Sequence, residues 1–179
     1  YLNTSSGGLT FQSPPDFENP DSVVGSNTYT LTVGVTDGTA PVTLALTINV
    51  TDWNDPPVFN SSATISVSEN QVLAIDVNAS DPEGTALVYA LAGGADQGRF
   101  SIDSSTGVLT FKSPPDYEAN ASVAGDNAYA VTVETTDGVS TVSQSLVVNV
   151  ANVNETPGVL SGAVAVMAEN LTVALDVNG

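Results

Sequence analysis

The ionisable side chains in this sequence are almost all carboxylates. Asp and Glu number 20, against two cations, and there is no His and no Cys, so the net charge is −18. The two cations are Arg99 and Lys112. Without imidazole or thiol there is no Ser–His or Cys–His nucleophile pair, no thiolate zinc site and no iron–sulfur cluster. Oxygen is the metal ligand that remains, and it suits hard cations such as calcium and magnesium. Paired carboxylates also hydrolyse glycosides, but only across a cleft that holds them about 5–9 Å apart. The acids here cluster where strands end, so the chain reads as a non-enzyme. A surface this acidic repels phosphate backbones and anionic lipid, which excludes nucleic acid and the membrane surface as partners.

The acidic motifs recur. LTFQSPPDFE at 9–18 returns as LTFKSPPDYE at 109–118, an offset of one hundred. The same offset pairs Asn27, Tyr29, Thr36, Asp37 and Gly38 with Asn127, Tyr129, Thr136, Asp137 and Gly138. It also pairs Asn54 and Pro57 with Asn154 and Pro157, and Glu69-Asn70 with Glu169-Asn170. Roughly two in five aligned positions are identical, which marks a tandem array. A period of about one hundred is the size of a domain. The boundaries expected at Asn54-Asp55-Pro56-Pro57 and Asn154-Glu155-Thr156-Pro157 give the C-terminal part of one repeat over 1–55, a complete repeat over 56–155, and the N-terminal part of a third over 156–179. That layout is expected of a piece of a longer array.

Apolar residues alternate with a period of two, and no stretch has capped helical periodicity. Within one repeat the alternation places strands at Ile65 and Val67, at Leu73, Ile75 and Val77, and at Leu87, Tyr89 and Leu91. Further strands fall at Phe100 and Ile102, at Leu109 and Phe111, over 128–136, and over 140–150. Gly107 sits where Phe100–Ile102 turns back into Leu109–Phe111, a hairpin signal. Seven short alternating strands in about 100 residues predict an all-β fold: a seven-stranded Greek-key antiparallel β-sandwich with the named apolar residues as its core. No apolar run reaches the ~18 residues of a membrane span.

Ser68-Glu69-Asn70, Asp81-Pro82-Glu83-Gly84, Phe100-Ser101-Ile102-Asp103, Asp116-Tyr117-Glu118, Thr136-Asp137-Gly138 and Asp52-Trp53-Asn54-Asp55-Pro56-Pro57 follow one another in a fixed order. In that order and spacing the chain resembles a cadherin repeat, specifically the cadherin-like tandem repeats of large bacterial surface or secreted proteins. The resemblance implies calcium ions (Ca2+) at each junction between repeats. At the first junction it assigns Asp16 and Glu18, the linker residues Asp52, Trp53, Asn54 and Asp55, and Asp81, Glu83 and Asp137 of the following repeat. At the second junction the matching residues are Glu69, Asp116, Glu118, Asn152, Asn154 and Glu155. The linker is one residue shorter than the Asp-x-Asn-Asp-Asn of the animal family. Asp81-Pro82-Glu83 stands where the family has Asp-x-Asp, and Asn152 and Glu155 replace linker aspartates. The first junction is therefore expected to bind calcium more tightly than the second.

Elementary electrostatics points the same way. If the sandwich brings the linker and loops together, seven carboxylates share the first junction. Two unpaired carboxylates roughly 4 Å apart repel by up to about 4 kcal/mol at an effective dielectric near 20. Neither cation lies close enough in sequence to relieve this. Calcium accepts about 6–8 oxygen ligands in flexible geometry, whereas magnesium demands an octahedron and keeps its waters. The remaining acids, Asp21, Asp76, Asp96, Asp103, Asp126 and Glu134, read as solvated surface charges. Trp53 reads as packed on the end of the domain. The expected function is a calcium-rigidified extracellular stalk or adhesion module at the cell surface. Neighbouring repeats of the same chain are its partners, with other cadherin-like repeats (homophilic adhesion) or polysaccharide beyond them. The alternative is a carbohydrate- or protein-binding module of a secreted or cell-surface bacterial protein.

Overall fold

The computed structural model describes residues 1–156 and 169. Strands form where β-branched and aromatic residues alternate with Thr, Ser and Asn, side chains that suit a pleated, half-buried surface. In chain order they are β1 (Thr28–Thr36), β2 (Pro41–Asn49), β3 (Val58–Phe59), β4 (Thr64–Ser68), β5 (Leu73–Asp76), β6 (Ala79–Ser80), β7 (Val88–Gly93), β8 (Phe100–Ile102), β9 (Val108–Phe111), β10 (Ala128–Thr136) and β11 (Thr141–Ala151). Among the described residues one 3-10 turn, Gln97–Arg99, leads into β8.

Strands β3 to β11 make a sandwich. One sheet has the order β4-β11-β10-β7; the other is β5-β9-β8, with β3-β6 as a two-strand extension. The chain changes sheet between β7 and β8 and again between β9 and β10, which is the Greek-key all-β architecture that the alternation predicts. All seven expected strands are present. Two short strands that the alternation did not place are added, β3 ahead of β4 and β6 after β5.

Two details correct the sequence reading. The sandwich is not antiparallel throughout, because β4 pairs with β11 in parallel, from Thr64↔Val147 to Ser68↔Ala151. The cause is the break after β3. The chain leaves its antiparallel partner β6 and crosses to the other sheet while still travelling away from the linker, the direction in which β11 also runs. Leu73 is also not a core residue. It is 53% exposed and Ala74 is buried in its place. The ladder between β5 and β9 slips by one residue between Leu73 and Ile75, and a bulge of that kind moves the side chains to opposite faces.

The core lies between the two sheets. Val77, Leu109, Val131, Val133, Leu146 and Val148 are buried, each side chain contributing about 1.5–3 kcal/mol on removal from water. Phe100, Phe111 and Tyr129 form its aromatic centre, with ring centroids 4.5, 5.2 and 6.3 Å apart. Gly107 closes the β8–β9 hairpin at a φ of +76°, and a Cβ there would lie 2.2 Å from the Val77 carbonyl oxygen. Only glycine fits that turn.

The first repeat contributes the β1–β2 hairpin. Its nine pairs, from Thr28↔Asn49 to Thr36↔Pro41, have the register of β10–β11 shifted by one hundred. Phe11 packs edge-on to Tyr29 at 5.0 Å, as Phe111 does to Tyr129.

Strand direction places the acids at the two ends of the sandwich. The start of β11, the end of β10, the 81–84 loop and the linker before β3 meet at one end. The ends of β4 and β11, the 112–118 segment and residues 152–155 meet at the other. Strand β11, 11 residues long, separates the ends by roughly 35 Å at the usual rise per residue.

Candidate functional site: acid clusters at the sandwich ends

At the linker end Glu18, Asp52 and Glu83 each bring one carboxylate oxygen within 4.8 Å of the others. Oxygens on opposite sides of one calcium ion stand about 4.6–5.2 Å apart, twice the usual ligand distance. The trio therefore has the spacing of a shared calcium shell. The three side chains come from the Asp-Phe-Glu turn, the linker and the loop after β6.

The other residues expected at this junction serve two purposes. Some orient the linker. The Asp55 N–H donates to Glu83 Oε1 at 3.0 Å. The Asn54 amide donates to Asp137 Oδ2 at 3.0 Å and to Ser140 Oγ at 3.2 Å. Asp137 Oδ1 accepts the N–H groups of Val139 and Ser140 at 2.7 and 2.6 Å. Others are left with an unused oxygen. Asp81 Oδ1 accepts the Thr85 N–H at 2.9 Å, but Asp81 Oδ2 is buried without a hydrogen-bond partner, as is Glu83 Oε2. A buried carboxylate oxygen with no donor is costly unless a cation takes it. The donor set is all oxygen with several carboxylates, so it fits calcium.

Two of the expected ligands stand apart. Asp16 accepts the Asn19 N–H at 2.8 Å, capping its own turn, and is not part of the convergent trio. Trp53 is 86% exposed, which corrects the expectation that it packs on the domain end. An indole is a donor only, so the Trp53 backbone carbonyl alone is suited to an ion.

Loss of solvent and hydrogen bonding move two of these acids' pKa values in opposite directions. Loss of solvent raises the Glu18 pKa above 4.5, and the charges on Glu83, Asp52 and Asp55 add to that rise against a lowering backbone hydrogen bond. Asp137 moves the other way. The Ser140 N–H, the Asn54 amide and the Val139 N–H hold it below 3.8.

At the far end Glu69, Asp116 and Glu118 converge within the same 4.8 Å. Glu69 is only 3% exposed, and its two oxygens accept the N–H groups of Tyr117 and Val153, both at 2.8 Å. Side-chain amides cover two more acids: Asn152 donates to Glu118, and Asn70 donates to Glu155 at 2.7 Å. Asn154 is exposed. Asp116 caps its turn through the Ala119 N–H at 3.0 Å.

Sequence reasoning missed three residues. Ser140 meets Asn54, and nothing in its own type marks it. Asn70 sits at a φ of +65° and reaches Glu155; its recurrence as Asn170 is the signal that pointed to it. Asp96 is not a solvated acid. It is 2% exposed and accepts the N–H groups of Val123 and Ala130 at 2.7 and 2.9 Å, tying the 119–127 loop to β10. Asp103 is likewise engaged: it caps its hairpin turn through the Thr106 and Ser105 N–H groups, which lower its pKa.

A Greek-key sandwich with oxygen-rich clusters at both ends defines a β-sandwich protein with candidate cation sites at the ends of the sandwich. The family model "Cadherin domain" matches residues 63–153, and the chain belongs to the cadherin family. Protocadherin Fat 1 of Homo sapiens is 32% identical over 179 residues, 89% of this chain and 4% of that protein. Chitinase A of Pseudoalteromonas piscicida is 32% identical over 138 residues, 76% of this chain and 16% of that protein. The chain thus spans a small part of the length of these relatives. Among solved structures, protocadherin gamma B7 extracellular cadherin domains 1-4 superposes with a TM-score of 0.50 at 25% identity, covering 70% of this chain and 32% of that one. Cadherin domains are extracellular, adhesion-type modules. Among the described residues no helix is long and apolar enough to cross a membrane.

Proposed function

We propose that this chain is a calcium-binding stretch of an extracellular stalk or adhesion protein, in which ions at the sandwich ends stiffen the array. One observation carries this reading: Asp81 Oδ2 and Glu83 Oε2 are buried carboxylate oxygens without a donor, and Glu83 converges with Glu18 and Asp52. The ligand set is the one expected from the motifs without Asp16, which caps its own turn, and without Trp53 and Asn154, whose side chains are exposed. Asp52, Asn54, Asp55, Asp81, Glu83, Asp137 and Glu18 serve the first junction; Glu69, Asp116, Glu118, Asn152 and Glu155 serve the second. The repeat layout of 1–55, 56–155 and 156–179 belongs to the same proposal, as does placement at the cell surface with neighbouring or opposing cadherin-like repeats as partners.

The mechanism is linkage. Calcium binds the aligned junction and not the splayed one, so it shifts the population toward the extended form. At a calcium concentration 100 times the Kd the shift is about 2.7 kcal/mol. Extracellular modules of this type bind at about 10⁻⁴ to 10⁻³ M, so the response belongs in the millimolar range.

Small-angle scattering of the chain, in calcium and then in chelator, tests this. The maximum dimension should grow and flexibility fall as calcium rises, and the Asp52→Ala/Asp55→Ala variant should lose the response. A profile indifferent to calcium overturns the stalk reading. A second reading, a carbohydrate-binding module, is favoured by one feature alone, the cavity beside Arg99 and Lys112.

A further inference from the structure

In a chain of net charge −18 the only two basic side chains line the same cavity. It measures about 300 Å³ and lies against the β8–β9 hairpin, with Arg99, Lys112, Ser113, Pro114 and Asp116 around it and Tyr129 behind. The hairpin register brings the cations together, since the Lys112 N–H donates to the Arg99 carbonyl at 2.8 Å. We propose that this cavity is a binding site for a single oxyanion group, the carboxylate of an acidic sugar residue in a sparsely charged saccharide.

Both cations retain unused donor capacity. Among the described residues Arg99 forms one ion pair, Nε to Asp96 Oδ1 at a long 3.9 Å. Asp96 has already committed both oxygens to backbone N–H groups. The guanidinium is held near the Tyr129 ring, 5.9 Å from its centroid. Lys112 Nζ donates to the Gly98 carbonyl at 2.9 Å, leaving two of its three donors. A guanidinium and an ammonium on residues paired across one hairpin are donors that suit a carboxylate or sulfate.

The repeat supplies an internal control. Around this position the two copies read TFQSPPD and TFKSPPD, so Gln12 stands where the second copy has Lys112. The scaffold therefore does not require a cation here. Ligand class follows from charge and size. Asp116 offsets one of the two cations on the cavity wall, and the net charge repels a polyanion at long range; both favour a single acid group on an otherwise neutral chain. A volume of this size falls at the lower end of small-ligand sites and admits a sugar ring, for which the Ser113 hydroxyl supplies a further polar partner.

The test is a nitrogen-15 NMR titration of the whole chain with D-glucuronate, in calcium and in chelator, beside glucose, acetate and an N-acetylated glutamyl amide. Glucuronate should shift the amides around Arg99 and Lys112, glucose should not, and acetate and the glutamyl amide should bind more weakly. Lys112→Gln, the residue of the first copy, and Arg99→Gln should each weaken glucuronate about tenfold or more. Unchanged spectra elsewhere show that the variants fold. The proposal is overturned if glucuronate does not bind, or if glucose binds equally. Equal binding of acetate means a simple ion site, and tighter binding of the glutamyl amide means an acidic protein ligand; either overturns it. Binding that requires calcium and ignores both substitutions places the acid on the ion and also overturns it.

Discussion

Glu83 is held in place by one oxygen and left unsatisfied at the other. Oε1 accepts the Asp55 N–H, which fixes the linker, while Oε2 is buried without a donor. Glu18 and Asp137, at the same end, are shifted in opposite directions. The Glu18 pKa is raised, first by loss of solvent and then by the charges on Glu83, Asp52 and Asp55. A carboxyl whose folded pKa is raised is protonated in both states at low pH and costs nothing there. It destabilises the closed junction as pH rises through the raised value. Asp137 is lowered by the Ser140 N–H and the Asn54 amide. Its contribution is present above its unfolded pKa and is lost as pH falls through the depressed value. In the calcium-free chain, carbon-13 NMR of the side-chain carboxyls should therefore find Glu18 titrating above 4.5 and Asp137 below 3.8. Calcium should move Glu18 downward, because proton and ion compete for the same oxygens. A Glu18 titration curve that calcium leaves in place would remove it from the ligand set.

At the scale of elements, period-two alternation was enough to place seven of the nine strands of the second repeat, all but the two-residue β3 and β6, because each buries one face and wets the other. It failed where the backbone breaks that period. Nothing in Leu73-Ala74-Ile75 announces a bulge, since the apolar side chains there fit either face until β9 sets the register. The parallel pairing of β4 was hidden for a similar reason: direction depends on where the chain crosses between sheets, not on residue type. The candidate ligands were legible through their motifs, but their division of labour was not. Asp16 caps a turn, Asn54 holds Asp137, and Glu18, Asp52 and Glu83 converge; this depends on distances that a string does not contain. Asp96 was misread because burial and two backbone donors, not sequence neighbours, define its role. The bulge makes a measurable contrast. Val77→Ala should cost about 2 kcal/mol, two buried carbons plus a cavity, whereas Leu73→Ala should stay within about 0.5 kcal/mol. Thermal melts of the two variants in chelator would show it, and equal losses would mean that β5 keeps the unbroken alternation.

Across the whole molecule the two ends differ in how much of their acid charge is already answered. At the linker end two buried carboxylate oxygens have no donor. At the far end Glu69 accepts two N–H groups, and amides from Asn152 and Asn70 cover Glu118 and Glu155. An ion arriving there displaces or shares existing hydrogen bonds, whereas at the linker end it meets oxygens that have none. Two linker aspartates, Asp52 and Asp55, also face Asn152 and Glu155 at the equivalent positions, one charge fewer. Calcium should therefore fill the chain in two steps, the linker end first. Calorimetric titration should resolve them, with Asp52→Ala removing the tighter step and Glu118→Ala the weaker. A wide gap between the steps makes the array stiffen joint by joint as calcium rises, the linker joint becoming rigid while the next still flexes. Were Glu118→Ala to abolish the tighter step instead, donor satisfaction would not be what ranks these joints, and the order of stiffening along the array would reverse.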